Sequence, residues 1–265
     1  MLVVGELINS TRKAIAQALE QRDKAYLQDL ARCQVESGAQ IIDVNAAAGG
    51  NEVDNMKWLV EIVQEAVEVP LCVDSPNALA MEAGLSMCRE KAMLNSITAE
   101  NRRWNELLPV VQKYRPRVIA LCMGDGAMPE TTLDRLREAE KLVPGLVAAG
   151  IPLEDIYLDP LIKPLGVNTQ FAMEAIESTR ALRQEYPGVH IICGLSNVSY
   201  GLPERRLLNR AFMVMAISAG MDAFIMDPLD QPMMSLLAAA KALVGQDEYC
   251  LEYISGVRAG KFKAG

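Results

Sequence analysis

Short apolar runs of strand length alternate along this chain with longer stretches whose apolar residues recur at helical spacing. The runs cover residues 2–6, 40–45, 70–74, 92–95, 117–123, 156–159, 190–196 and 222–227. Their C-terminal ends fall at intervals of 21 to 39 residues. Between them, Met56-Lys57-Trp58-Leu59-Val60-Glu61-Ile62-Val63 carries the helical period, as do residues 130–143 and Phe171–Glu185. The stretch 130–143 is expected to stop before Pro144, whose ring removes a backbone donor and crowds the preceding turn. Ser75-Pro76 reads as an N-cap followed by proline at the first helical position.

Eight strands alternating with helices predict an α/β fold, a (β/α)8 TIM barrel, as a single domain over residues 1–265. The rival is a doubly wound open sheet. It would need a glycine-rich dinucleotide turn after the first strand, and Gly5-Glu6-Leu7-Ile8-Asn9 is not one. No Ser/Pro/Gly-rich linker interrupts the alternation.

Composition narrows the function. With 265 residues and 51% hydrophobic content the chain buries roughly 70–75% of its unfolded surface, so no disulfide or metal staple is needed. A net charge of −8 lacks the basic footprint of nucleic-acid or anionic-membrane binding. No 18-residue apolar run is present, and Met1-Leu2-Val3-Val4-Gly5-Glu6 shows no basic leader, so a cytoplasmic location is expected. Cys33, Cys72, Cys88, Cys122, Cys193 and Cys250 form no CxxC pair and read as buried thiols in a reducing compartment. The single histidine, His190, rules out a multi-histidine metal site and argues against a His-based triad. Because it opens the seventh strand, it is expected at the structural end of the barrel. Met213, Met215, Met226, Met233 and Met234 read as core filling in preference to a soft interaction surface.

The strand ends are unusually polar: Glu6 and Asn9, Asp43 and Asn45, Asp74, Asn95, Asp159, Asn197 and Asp227. In such barrels the site lies at these C-terminal ends. Asp43 and Asn45 share parity and face one side of their strand. Helix capping is the bland account of any one of them. It is strained for seven strands of eight, since Ser, Thr and Gly also cap. A ring of carboxylates and carboxamides suits a ligand with a donor-rich, guanidine-like edge, because ionised Asp only accepts and Asn both donates and accepts.

Five segments then stand in a recognisable order: Ser37-Gly38-Ala39-Gln40-Ile41-Ile42-Asp43-Val44-Asn45, Leu71-Cys72-Val73-Asp74-Ser75, Met93-Leu94-Asn95-Ser96, Tyr157-Leu158-Asp159-Pro160 and Gly194-Leu195-Ser196-Asn197-Val198-Ser199, followed by Asn209-Arg210. Over nearly its whole length the chain resembles the methyltetrahydrofolate:corrinoid protein methyltransferases, a family of pterin-binding barrels. The dihydropteroate synthases share the barrel but differ in two places. Where they carry Gly-Glu-Ser-Thr-Arg-Pro this chain has Asn45-Ala46-Ala47-Ala48-Gly49-Gly50, and their seventh-strand lysine is absent beside Ser196-Asn197.

The resemblance implies methyl transfer between 5-methyltetrahydrofolate and the cobalt of a corrinoid, with a dihydropteroate synthase-like enzyme or a non-catalytic folate-binding protein as alternatives. It implies catalytic roles for Asn197, at the end of the seventh strand, and for Asp74 in its hydrogen-bond network. Asn95 and Asp159 would hold the pterin edge with Asp43, and Arg205 or Arg206 would meet the glutamate tail of the folate. Cys122, Met123 and Met226 would line the pterin slot. The cobalt-ligating Asp-x-His-x-x-Gly motif is absent around His190, so the cobalamin must be carried by a transiently docking corrinoid protein. No metal bound by this chain is expected, and the family implies a homodimer.

Overall fold

In the computed structural model, which describes residues 1–48 and 50–262, eight parallel strands close into a barrel in sequence order. They are β1 (Leu2–Asn9), β2 (Ile41–Asn45), β3 (Leu71–Asp74), β4 (Met93–Thr98), β5 (Arg117–Leu121), β6 (Ile156–Asp159), β7 (His190–Gly194) and β8 (Ala223–Met226). Helices α1 (Lys13–Glu20) and α2 (Lys24–Glu36) follow β1, which accounts for the long first interval. Then α3 (Glu52–Gln64), α4 (Ala78–Met87), α5 (Asn101–Tyr114), α6 (Thr132–Ala148), α7 (Phe171–Glu185) and α8 (Arg205–Ser218) follow β2 to β7 in turn. After β8 come α9 (Gln231–Leu243) and α10 (Leu251–Arg258). All eight expected strands form. Gly49 and residues 263–265, which belong to the expected single domain, lie outside the described residues.

The strands are buried on both faces, which is why they read as apolar runs without polar alternation. One inward side chain per strand fills the barrel: Val4, Ile41, Cys72, Met93, Ile119, Tyr157, Ile192 and Ala223. Their neighbours point the other way, with Val3, Ile42, Val73, Leu94, Val118, Leu158, Ile191 and Phe224 packing in the layer between sheet and helices. The register of β1 against β2 slips between Gly5 and Ile8. The Leu7 N–H donates instead to Oε1 of Gln34 at 3.0 Å, and Gln34 is wholly buried. A Cβ on Gly5 would lie 2.5 Å from that same oxygen, so glycine is required there for close approach.

Four local expectations change. Helix α6 runs through Pro144, because Leu142, Val143 and Leu146 are buried around it and Gly145 lies against the Trp104 ring. Burial of that face outweighs the one backbone bond a proline forfeits. At its start, Thr131 and Asp134 form a capping box. Helix α4 is capped by Asn77, whose side chain accepts from the Leu79 N–H, and not by Ser75. The Ser75 hydroxyl is engaged locally, donating to Glu52 at 2.5 Å and accepting from the Asn77 N–H at 3.0 Å. Among the cysteines, Cys72, Cys122 and Cys193 are buried and Cys88 is half-buried, but Cys33 and Cys250 are exposed. Met213, Met226 and Met233 are core residues and Met234 packs against the core, whereas Met215 is exposed.

Replacing Gly5 by Ala is expected to lower stability by about 1–3 kcal/mol, the usual cost of forcing a methyl group into a filled core. Urea unfolding of the variant measures it. An unchanged midpoint would mean that Gln34 can withdraw without losing the Leu7 bond.

Candidate functional site

Two residues beyond the apolar layer, each strand turns its next side chain into the mouth of the barrel. Those positions are Glu6, Asp43, Asp74, Asn95, Leu121, Asp159, Gly194 and Ile225, and all eight line one cavity of about 360 Å³. Strand parity thus delivers five polar and three apolar or side-chain-free positions to a single place. Asn9, Thr11, Arg12, Ser96, Leu161, Ile162, Ser196 and Asn197 complete the wall.

The polar side chains form two linked pairs. Asn95 donates to Asp43 Oδ1 at 3.2 Å. Asn45 donates to Asp74 Oδ2 at 3.0 Å, with Asn9 at 3.5 Å from the same oxygen. Asn45 is oriented in turn by the Ser10 hydroxyl, which donates to its Oδ1 at 2.6 Å. Asp159 accepts the Leu161 N–H at 2.8 Å, tying the loop after β6 to the strand end. Glu6 lies between Arg12, at 2.9 Å, and the Ser196 hydroxyl, at 3.2 Å.

Burial governs the electrostatics. It pushes the Asp159 carboxyl up to about 7 against the opposing Leu161 bond and the Arg135 charge. It raises Asp43 well above the ordinary carboxylate range, with Asp74 beside it adding to the effect. It raises Asp74 and Glu6 too. A mouth lined by acids that resist ionisation favours a ligand that brings hydrogen-bond donors or positive charge to them.

The structure brings Asp43, Asp74, Asn95, Asp159 and Asn197 into this one cavity. Asn197 does not end the seventh strand. That strand stops at Gly194, and Asn197 lies on a single 3-10 turn, Leu195–Ser199, which folds back so that its amide packs over Gly194. Its exposed side chain has no hydrogen-bond partner among the described residues, and it does not cap α8, which begins after Glu204. No hydrogen bond links Asp74 to Asn197 among the described residues. Arg205 is absent from the cavity wall: its guanidinium donates to the Ser199 hydroxyl at 3.1 Å and the Ser196 carbonyl at 2.6 Å, bracing the turn that carries Asn197. Asp227 holds its own loop through the Leu229 N–H. Leu121 and Ile225, not Cys122 and Met226, face the cavity, because the latter pair point into the helix-side core. His190 stands at the opposite end, stacked on Tyr157 and 3.0 Å from Asp222. Among the described residues no group of three or more His, Cys, Asp or Glu is arranged to hold a metal ion.

Two arginines, Arg103 half-buried and Arg135 buried, had no distinguishing signal in the sequence. Arg103 donates to the carbonyls of Ser75, Pro76 and Ser96, lacing the ends of β3 and β4 together. Arg135, fully buried, donates to the carbonyls of Thr131, Pro160 and Leu161 behind Asp159. Each sits in an ordinary amphipathic helix, where arginine usually marks the solvent face.

Comparison with known proteins gives the family and the fold. The pterin binding enzyme family matches residues 5–227. A methylcorrinoid:tetrahydrofolate methyltransferase of Eubacterium limosum is 33% identical, covering 98% of this chain and 97% of its own. The methionine synthase of Mycobacterium tuberculosis is 26% identical over 85% of this chain, which corresponds to 20% of that larger protein. Among solved structures, a Yersinia pestis dihydropteroate synthase with a pterin-sulfa conjugate superposes with a TM-score of 0.67 at 20% identity, covering 92% of this chain and 94% of that one. The Xanthomonas albilineans dihydropteroate synthase with 7,8-dihydropteroate gives 0.68 at 18% identity over the same shares, a likeness of fold.

An acid whose native pKa lies above its unfolded one holds more protons when folded, so it costs stability as pH rises between the two values. For Asp159 that window runs from about 4, the ordinary Asp value, to about 7. Asp159→Asn keeps the acceptor for Leu161 and removes the titration. The variant is expected to be more stable than wild type above pH 7, with the gap closing toward pH 4. Thermal unfolding at several pH values measures this, and a pH-independent gap would return Asp159 to an ordinary pKa.

Proposed function

This chain belongs to the pterin-binding enzymes, and from that premise we propose that it is a methyltransferase moving a methyl group between 5-methyltetrahydrofolate and the cobalt of a corrinoid. The observation that carries the reading is the unpartnered Asn197 amide facing a slot whose other wall is made of carboxylates. Asp159 and the Asn95–Asp43 pair accept from and donate to the guanidine-like edge of the pterin, placing the methyl-bearing N5 toward Asn197. Asp74 is held by Asn45 and Asn9 as a fixed acceptor beside them.

The methyl group leaves N5 without its bonding pair. That pair stays on the ring nitrogen and takes up a proton, while the reduced cobalt supplies both electrons of the new carbon–metal bond; the reverse direction retraces the same steps. An asparagine is no proton source at neutral pH. It acts by position, donating to N5 as electron density gathers there, a bond stronger in the transition state than in the ground state. The corrinoid arrives on a separate, transiently docking protein, which meets the open mouth where folate also enters. As part of the same proposal, the chain works as a homodimer in the cytoplasm. Displacement of a diphosphate, as a dihydropteroate synthase would require, is disfavoured because Ser196-Asn197 stands where that family keeps a lysine.

Asn197→Ala is expected to slow single-turnover methyl transfer to cob(I)alamin by about 100- to 1,000-fold, the usual effect of removing one positioned donor. Equilibrium folate binding should fall much less, since the clamp is intact. Equal losses in rate and affinity would make Asn197 a binding residue only, and no loss in either would move the site elsewhere.

The clamp predicts the opposite split. Asp159→Ala removes an acceptor that becomes ionised as it takes the donors of the pterin edge, expected to be worth about 1.5–3 kcal/mol, and should raise the folate Kd about 10- to 150-fold. Asn95→Ala should stand at or below the lower figure. Titration calorimetry on folded variants decides, and an unchanged Kd would reduce both residues to supports of the loops after β4 and β6.

A further inference from the structure

A second cavity of about 460 Å³ opens beside the barrel mouth, and Leu161, Ile162 and Asn197 line both. Its remaining walls are mainly apolar and include Met128, Val167, Phe171 and Tyr200. Lys163 stands among them, 8% exposed, with its ammonium 3.8 Å from the centre of the Phe171 ring. Among the described residues it has no carboxylate within ion-pair distance; the exposed Glu130 is the acid on this lining. Lysine is almost never buried to this degree unless paired. The ring face partly compensates the charge. The ammonium's capacity to donate to an anion is unused.

An apolar, aromatic-walled space ending in one unpaired cation fits an aryl group that terminates in a carboxylate. On the reading proposed above, the ligand in the neighbouring slot is a pterin bearing such a group, an aryl amide that ends in a glutamate. We infer that this cavity receives the aryl-carboxylate arm of the folate, with Lys163 holding one of its carboxylates. Arg205, one of the two cations (with Arg206) that the family resemblance offers for that role, is committed to the Ser196 carbonyl and the Ser199 hydroxyl. Leu161 and Ile162 would then serve two purposes, as the floor of the pterin slot and as the entrance to the arm. Lys163 becomes the residue that distinguishes a folate from a bare pterin.

The test compares two ligands: 5-methyltetrahydrofolate, and a 5-methyltetrahydropterin carrying only a methyl group in place of the arm. Each is titrated into wild type, Lys163→Met and Lys163→Arg, after circular dichroism has established that the variants are folded. Wild type should bind the folate more tightly than the armless pterin. Lys163→Met should loosen the folate by about 10- to 150-fold, the value of one hydrogen bond to a charged group. The armless pterin should stay within about twofold of its wild-type Kd, and Lys163→Arg should recover most of the lost folate affinity. If Lys163→Met weakens both ligands equally, the lysine supports the β6 loop and the inference is overturned. It is also overturned if neither ligand responds, or if wild type binds both equally well. Should wild type bind neither ligand, the pterin reading of the barrel mouth itself fails, an outcome separate from these.

Discussion

The two-residue period of a strand is the constraint on which the rest of this structure depends. Once Val4, Ile41, Cys72, Met93, Ile119, Tyr157, Ile192 and Ala223 are committed to the inside of a closed barrel, the residues two places on have no choice of direction. They must face the mouth. The chain places Glu, Asp or Asn at five of those eight positions, and the cavity inherits its chemistry from that parity. The apolar layer beneath is therefore part of the site. It sets the height and angle of every carboxylate above it, and a slip of one residue in β2 would replace Asp43 on the wall by the aliphatic Ile42 or Val44.

Parity also explains how much could be read from the chain itself. The eight strands and the inward set Asp43, Asp74, Asn95 and Asp159 are legible because each follows a buried aliphatic run whose direction is fixed. Asn197 and Asp227 sit beyond the last inward positions, Gly194 and Ile225, where the chain has left the sheet and parity no longer applies. Whether such a residue faces the cavity or its own loop is then decided by local turns. The 3-10 turn after β7 returns Asn197 to the mouth, while Asp227 is consumed by the Leu229 N–H. Cys122 and Met226 illustrate the same rule in reverse, since their odd offset from the inward set sends them into the helix layer.

The roles of Arg103, Arg135 and Arg205 were illegible for a different reason. Arg103 and Arg135 bind main-chain carbonyl groups, which no partner side chain marks in the sequence, and Arg205 binds the Ser196 carbonyl and the Ser199 hydroxyl of its own neighbouring turn. Together they brace the loops after β3, β4, β6 and β7, the loops that frame the cavity. A guanidinium offers five donors in a rigid fork and closes several orphaned carbonyls at once. Of the residues so held, Ser96, Leu161 and Ser196 also turn toward the cavity.

The crowding of Glu6, Asp43, Asp74 and Asp159 in one buried mouth works against the folded chain, since burial penalises each negative charge. A bound molecule that supplies donors to these acids removes part of that penalty, and the folded form gains whatever binding energy the unfolded chain cannot use. Occupancy of the mouth and persistence of the fold are thereby linked. Proteases act on chains that open, and an occupied barrel opens less often. The acids that make the empty mouth costly are the same groups through which a ligand would hold the barrel closed.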